Sequence, residues 1–227
     1  IDMAGNLYVT GWSRSGTDYG SEDYCTIKYN NNGQQLWVAR FDGAVGNDCY
    51  YYDYAKAIVV DNAGNVYVTG ESWGNDNLNG DYLTIKYNTN GVIQWSKRYN
   101  GPSSKNDMAL SIALDPAGNV YVTGASEQQG KGYDYATIKY NTTGTQQWVS
   151  RYAGLGGVMG SSGASSIALD DLGNVYVTGN SEGADFLGGD YYDYATIKYN
   201  NSGNEQWAIR FNGISSEGDK AIAIFVD

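Results

Sequence analysis

Short apolar stretches alternate with turn-forming residues along the whole chain, and the same order of stretches returns four times. A continuous apolar run comes first, as in Ala57-Ile58-Val59-Val60. The turn Asp61-Asn62-Ala63-Gly64 then leads into the alternating stretch Asn65-Val66-Tyr67-Val68-Thr69-Gly70. Apolar runs of this length between Gly, Asn and Asp predict β-strands, and no segment has the 3.6-residue period of an amphipathic helix. The pattern therefore predicts an all-β repeat protein.

Each repeat contains four predicted strands. The first is the apolar run, the second ends in Thr-Gly, the third begins with Asp-Tyr, and the fourth carries one Trp followed three residues later by Arg. The first strands are Ala57–Val60, Ser111–Leu114, Ser166–Leu169 and Ala223–Val226. The aspartates that precede the second strands are Asp2, Asp61, Asp115 and Asp170. The third strands begin at Asp23, Asp81, Asp134 and Asp193.

The connections between the strands alternate in length. Asp-X-X-Gly joins strands one and two, and Asn-X-X-Gly joins strands three and four. In such turns Asp or Asn bonds the backbone ahead of it, and Gly takes the positive φ that closes the loop. The remaining connections are long and rich in Gly, Asn, Asp and Ser. Four antiparallel strands with tight turns at one end and long loops at the other predict the blade of a β-propeller.

We therefore predict one β-propeller domain, residues 1–227, of four four-stranded antiparallel blades. Three blades span residues 57–110, 111–165 and 166–220, and the first joins residues 1–56 to 221–227. In this arrangement Ala223–Val226 pairs with the strand around Val9 and closes the ring without an exposed sheet edge. The alternative is a four-blade fragment of a larger surface protein.

The composite motif resembles the SBBP-type β-propeller repeat of bacterial and archaeal surface or secreted proteins. It consists of Ala-Ile-X-X-Asp-X-X-Gly-Asn-Val-Tyr-Val-Thr-Gly, then Asp-Tyr-X-Thr-Ile-Lys-Tyr-Asn-X-X-Gly and Trp-X-X-Arg-Tyr. It is more distantly similar to NHL-type repeats. The resemblance covers essentially the whole chain and implies the propeller fold, although the family name implies seven blades and four are present. It implies no catalytic activity.

The charge balance narrows the range of partners. Asp and Glu number 25 against 14 for Lys and Arg, which gives a net charge of -11. Because binding to nucleic acid and to anionic membranes rests on basic patches, neither partner is expected. No apolar run reaches the roughly 18 residues of a membrane-spanning helix. The 31 Gly and 22 Tyr are typical of a secreted or cell-surface β protein, so an extracellular location is expected.

The absence of His excludes several kinds of chemistry. Ser-His-Asp and Cys-His catalytic systems need an imidazole, as do the common zinc and copper sites. The glycine-rich stretches also do not fit a phosphate loop or a dinucleotide fingerprint, because none lies between a strand and a helix. Cys25 and Cys49 are compatible with one disulfide in an oxidising compartment, or with two free and partly buried thiols.

Residues that recur in every blade are interpreted as structural, because packing needs identical copies and chemistry seldom does. This group includes Trp37, Trp95, Trp148, Trp207, Asp61, Asp115 and Asp170. Ligand binding is expected where the repeats differ, in aromatic and acidic residues of the long loops. These are Trp12, Tyr19, Tyr51, Tyr52, Trp73, Asp76, Asp185, Phe186 and Asp190. Aromatic rings beside carboxylates suit contact with a glycan or a protein.

The predicted function is a non-enzymatic extracellular module for binding or scaffolding. The alternative is a carboxylate-dependent glycan hydrolase or lyase at the mouth of the central channel. That activity needs two carboxylates roughly 5 to 9.5 Å apart. No cofactor is expected, apart from a loop calcium ion near Asp76 and Asp81, whose segment offers alternating oxygen ligands but lacks the EF-hand pattern.

Overall fold

The computed structural model describes residues 1–14, 22–43, 52–74, 79–154, 160–182, 192–213 and 218–227. Their regular secondary structure is entirely β. The strands are β1 (Leu7–Arg14), β2 (Glu22–Tyr29), β3 (Gln35–Phe41), β4 (Asp53–Val60), β5 (Val66–Trp73), β6 (Gly80–Tyr87), β7 (Ile93–Tyr99), β8 (Asp107–Leu114), β9 (Val120–Gln128), β10 (Gly132–Tyr140), β11 (Gln146–Tyr152), β12 (Gly160–Ser161), β13 (Gly163–Leu169), β14 (Val175–Glu182), β15 (Tyr192–Tyr199) and β16 (Glu205–Phe211). None of these residues belongs to a helix that could span a bilayer.

The strands form four sheets in which sequence neighbours pair. Their orders are β1-β2-β3, β4-β5-β6-β7, β8-β9-β10-β11 and β13-β14-β15-β16, and the short β12 adds in parallel to β10. One compact unit comprises Ile1–Asn100 and Asn106–Ala109, and a second comprises Gly101–Lys105 and Leu110–Asp227. The structure confirms the predicted all-β fold and the repetition of four blade-like sheets.

The turn between β4 and β5 shows how the repeated Asp-X-X-Gly motif works. Gly64 has a φ of 82° and donates its N–H to the Asp61 carbonyl oxygen at 2.9 Å. The Asp61 carboxylate accepts four hydrogen bonds, from the backbone N–H groups of Ala63 and Asn65, the Asn65 amide and the Tyr67 hydroxyl. Burial alone raises the pKa of Asp61, but these hydrogen bonds outweigh it and hold the pKa below the usual value.

Replacing Asp61 by Ala should lower the free energy of unfolding by about 2 kcal/mol at neutral pH, because four donors lose a charged acceptor. A carboxylate whose pKa is lowered in the folded state stabilises above its unfolded pKa, and loses that effect as the pH falls. The difference between Asp61→Ala and the unmodified chain should therefore narrow below about pH 4. Urea denaturation at several pH values measures it.

The matched control is Asp171→Ala, which removes an exposed aspartate from the equivalent turn between β13 and β14. Surface changes of this kind usually shift stability by less than about 0.5 kcal/mol. A pH-independent loss in Asp61→Ala, or an equal loss in Asp171→Ala, would contradict the assigned role.

Each unit has its own apolar core. In the first unit Val66, Val68, Ile85 and Tyr87 are fully buried, and Trp37 packs against this cluster. The Trp37 indole donates to the Thr89 carbonyl oxygen at 3.0 Å, which attaches the first sheet to the β6–β7 turn. The core of the second unit includes the equivalent residues Val175, Val177, Ile197 and Tyr199, with Trp148 packed against it.

The predicted pairing of the C-terminal segment with β1 is wrong for this structure. The first sheet has three strands, and Ala223–Val226 forms no strand. The segment is held instead by side chains of β13: Ser165 Oγ donates to the Ala221 carbonyl oxygen at 2.7 Å, and Ser166 Oγ accepts from Ile224 N–H at 3.2 Å. These hydroxyls form hydrogen bonds with a backbone carbonyl and a backbone N–H, which are the kinds of group that strand pairing with β1 requires.

The exposure of β1 reflects the missing strand. Leu7 and Val9 are 50% and 46% exposed, whereas Val66 and Val68, at the same repeat positions in β5, are fully buried. In the β4–β5 pair, the apolar first strand covers this surface through its register with β5. The alternating pattern of β1 therefore predicts a strand correctly, but burial depends on a neighbour that is absent from the first sheet.

Candidate functional site

The structure describes three of the nine predicted ligand-binding residues, Trp12, Tyr52 and Trp73. The other six lie outside the described residues: Tyr19, Tyr51, Asp76, Asp185, Phe186 and Asp190. Cys49 also lies outside them, while Cys25 is a buried free thiol. Trp12 lies near the end of β1, Tyr52 immediately before β4, and Trp73 at the end of β5.

Together with a fourth ring, Tyr54, these residues form what we call the aromatic cluster: Trp12, Tyr52, Tyr54 and Trp73. The Tyr52 and Tyr54 rings are stacked, with centroids 5.8 Å apart and planes 6° apart. Trp12 meets Tyr54 edge to face at 6.1 Å, and Trp73 meets Tyr52 edge to face at 5.7 Å. These separations and orientations are the favourable ones for aromatic pairs.

Backbone pairing brings the rings of the aromatic cluster together. Tyr52 forms an isolated parallel bridge with Glu22 at the start of β2, and its carbonyl oxygen accepts from Trp73 N–H at 3.0 Å. Tyr54 lies opposite Glu71 in the β4–β5 register. Because side chains alternate along a strand, Tyr54 points to the opposite side of the sheet from Asp53.

Two glutamates lie beside the aromatic cluster. Arg14 donates from Nε and Nη2 to Glu22 Oε1, at 3.0 and 2.9 Å. Glu22 Oε2 is buried and accepts no hydrogen bond. Glu71 Oε1 accepts from Trp73 Nε1 at 3.0 Å. Burial raises the pKa of Glu71, against the opposing effects of the Trp73 hydrogen bond and the Lys56 charge.

The sequence prediction missed Tyr54, Glu22 and Glu71. A signal for them was available, because each occupies a position where the repeats disagree. Glu71 follows the Thr-Gly motif, where the other repeats have Trp12, Ala125 and Asn180. The tyrosine run that ends at Tyr54 has no counterpart in the other repeats. Charged and aromatic residues at positions where the repeats differ thus identify more of this site than aromatic residues alone.

A second group, which we call the carboxylate cluster, consists of Asp23, Asp42 and Asp53. One carboxylate oxygen from each lies within 4.8 Å of the others. Asp53 is 1% exposed, and its Oδ2 accepts from Gly43 N–H at 2.6 Å, whereas its Oδ1 is buried without a hydrogen bond. Burial raises the pKa of Asp53 to about 6, against the opposing effects of Ser72, the Gly43 amide and Arg98.

Asp81, the described member of the predicted calcium site, lies 3.5 Å from the Arg98 guanidinium. The same Arg–Asp contact occurs in two further repeats, at 3.2 Å between Arg151 and Asp134 and at 3.2 Å between Arg210 and Asp193. In all three repeats the arginine also donates to the Ser hydroxyl of the second strand. The arrangement of Asp81 is therefore shared with repeats elsewhere in the chain.

Comparison with known proteins supports the repeat assignment. Residues 50–78 and 150–186 match the sequence model of SBBP, the beta-propeller repeat family. This match confirms the resemblance seen in the repeated motif. The first matched segment contains Tyr52, Tyr54 and Trp73, so most of the aromatic cluster lies on a recognised repeat. No curated protein matches the sequence.

The Dyadobacter fermentans structure shows similarity of fold alone. A protein of unknown function from Dyadobacter fermentans aligns over 92% of this chain and 66% of its own length, with 10% identity and a TM-score of 0.57. A protein of unknown function from Bacteroides caccae aligns over 85% of this chain and 78% of its own length, with 10% identity and a TM-score of 0.41. The chain thus spans slightly less than two thirds of the Dyadobacter protein.

Proposed function

We propose that this β-propeller repeat chain is a non-enzymatic, extracellular binding module that contacts a glycan through the aromatic cluster. The observation that supports it most is the exposure of Trp12, which is 53% accessible although its ring edge packs against Tyr54. An anchored indole with a large exposed fraction provides apolar contact area at little cost in conformational freedom.

The polar groups around the rings suit a hydroxyl-rich ligand. Glu71 presents an acceptor at the margin of the aromatic cluster, and Arg14, held by the buried Glu22 carboxylate, presents donors there. Each carboxylate is already oriented, Glu22 by Arg14 and Glu71 by the Trp73 indole. Small numbers of fixed polar groups beside apolar surface are the usual means by which binding sites orient a ligand. Carboxylates engaged in this way support binding rather than catalysis.

The size of the exposed surface favours a glycan over a protein partner. A stable protein interface buries about 800 Å² on each side. In the described part of the aromatic cluster, Trp12 is the exposed ring, while Tyr52, Tyr54 and Trp73 are half-buried. One indole plane with polar neighbours matches the dimensions of a sugar ring more closely than those of a protein surface.

Replacing Trp12 by Ala should weaken glycan binding at least tenfold. The loss of one stacked ring at an exposed contact is worth about 1.4 kcal/mol or more, which corresponds to that factor. A glycan array first identifies the sugar, and calorimetric titration then compares its affinity for the two proteins. Because Trp12 is largely exposed, the variant should keep the stability of the unmodified chain.

The matched control is Trp207→Ala, which removes a partly exposed indole from β16 in the second unit. Its glycan affinity should be unchanged. Equal affinity of Trp12→Ala and the unmodified chain would contradict the proposal. Recognition of a protein, with no binding to any glycan, would instead support the protein-contact alternative.

A further inference from the structure

We propose that the carboxylate cluster, Asp23, Asp42 and Asp53, binds a calcium ion. The three residues come from the second residue of β2, the loop after β3 and the first residue of β4. Calcium lies about 2.3 to 2.6 Å from its oxygen ligands, so a single ion bridges oxygens up to about 5 Å apart. The mutual separation of at most 4.8 Å meets this condition for all three carboxylates.

The buried oxygen of Asp53 is the second observation that points to a ligand. Only 1% of the Asp53 surface is exposed, and its carboxylate oxygen Oδ1 accepts no hydrogen bond. A buried carboxylate oxygen without a donor or a cation is unfavourable, and native proteins rarely leave one in that state. A cation between the three carboxylates supplies the missing partner.

A cationic side chain, Arg98, lies beside the carboxylate cluster. Its Nη2 donates to the Gly43 carbonyl oxygen at 3.3 Å and to Ser72 Oγ at 2.7 Å. The same guanidinium also forms an ion pair with Asp81. Arg98 is therefore engaged by Asp81 as well as by the groups next to Asp53.

A repeat in the second unit shows that the scaffold does not need a carboxylate at two of these three positions. Aligned on the repeats, Asp23, Asp42 and Asp53 correspond to Asp134, Ala153 and Ser162. Ser162 takes the place of Asp53 beside a glycine, Gly154, that corresponds to Gly43. The loop conformation therefore tolerates a small hydroxyl at the buried position and no side-chain oxygen at the exposed one. Asp107 and Asp219 repeat the buried aspartate, so the carboxylate particular to the first site is Asp42.

The ligand set selects the kind of ion. All three groups are carboxylates, which hard cations prefer, and the chain has no His to attract zinc or copper. Asp42 is exposed, so one side of the carboxylate cluster is open to solvent. Water can complete the six to eight oxygens that calcium takes, which makes calcium a better match than the strictly octahedral magnesium ion.

The experiment uses the whole chain, treated with EDTA and dialysed. Calorimetric titration with CaCl₂ should show one saturable site, and millimolar CaCl₂ should raise the melting temperature. Asp42→Ala, which copies the residue of the third repeat, should weaken calcium binding at least tenfold while the calcium-free protein melts as before. The matched control, Asp171→Ala, removes an exposed aspartate in the second unit and should bind calcium normally.

A second variant, Asp53→Ser, copies Ser162 at the buried position. It should abolish the calcium-induced rise in melting temperature without lowering the melting temperature of the calcium-free chain. The absence of saturable heat at millimolar calcium would overturn the proposal, as would an equal response in Asp42→Ala or an equal response to KCl at the same ionic strength. The outcome is independent of glycan binding, which is measured with Trp12→Ala.

Discussion

Replacing Gly70 by Ala is expected to destabilise the first unit by about 3 kcal/mol, the upper range for forcing an extra methyl group into a well-packed interior. An added Cβ would overlap the Tyr54 carbonyl oxygen and lie 2.9 Å from the Ala55 Cα. It would also come within 2.7 Å of the Tyr24 hydroxyl. Two of these three neighbours are backbone atoms of β4, which cannot rotate away. The pairing of β4 with β5 would therefore have to shift.

Gly11 provides a matched control, because it occupies the same repeat position in β1. A Cβ at Gly11 has no neighbouring atom within 4 Å. Gly11→Ala should therefore leave stability within about 0.5 kcal/mol of the unmodified chain. Urea denaturation followed by tryptophan fluorescence compares the two variants. Equal stabilities would show that the backbone of β4 does not pack closely against Gly70 in β5 as described.

The same pair of glycines shows what the sequence could and could not predict. Turns and strands follow from local chemistry, so Asp61 and Gly64 predict a hairpin from ten residues of sequence. The four identical Thr-Gly motifs, however, conceal different surroundings. Gly70 touches the backbone of β4, and Gly11 faces open space. The difference depends on whether a first strand pairs there, which is not a local property.

Site residues divide in a similar way. Trp12, Tyr52 and Trp73 were selected because they depart from the repeats, and the structure places them in one aromatic cluster. Glu22 also departs from the repeat pattern, but its position beside the rings depends on a parallel bridge to Tyr52, and the sequence does not reveal that bridge. The aspartates of the carboxylate cluster come from three separate positions in the chain, so the sequence does not show that they lie together.

Ring closure was the prediction that depended most on tertiary context. The segment from Ala221 to Val226 has the apolar pattern of a first strand, yet its backbone is held by two serine hydroxyls of β13. The apolar pattern indicates that a segment suits the interior of a sheet. It does not indicate which donors and acceptors form hydrogen bonds with the backbone of that segment.

Replacing Trp148 by Ala should lower the stability of the second unit by about 3 kcal/mol, near the lower end for removing a large aromatic side chain because Trp148 is half-buried. Its indole donates to the Asn201 carbonyl oxygen at 3.0 Å and meets the Tyr121 ring edge to face at 6.0 Å. The ring also covers Gly203, where an added Cβ would lie 2.9 Å from indole Cε3. The variant thus loses ring packing, one hydrogen bond and the contact that holds the β15–β16 turn.

Trp207→Ala is the control, because Trp207 occupies the same repeat position in β16 but is 37% exposed. Its ring lies 6.0 Å from the Tyr176 ring, which corresponds to Tyr121. Removing it should cost less than about 2 kcal/mol, since less apolar surface is buried. Unfolding in urea, followed by circular dichroism, ranks the two variants. Equal losses would mean that the shared Trp–Tyr contact within each sheet carries the stabilisation, rather than the contact of Trp148 with the next turn.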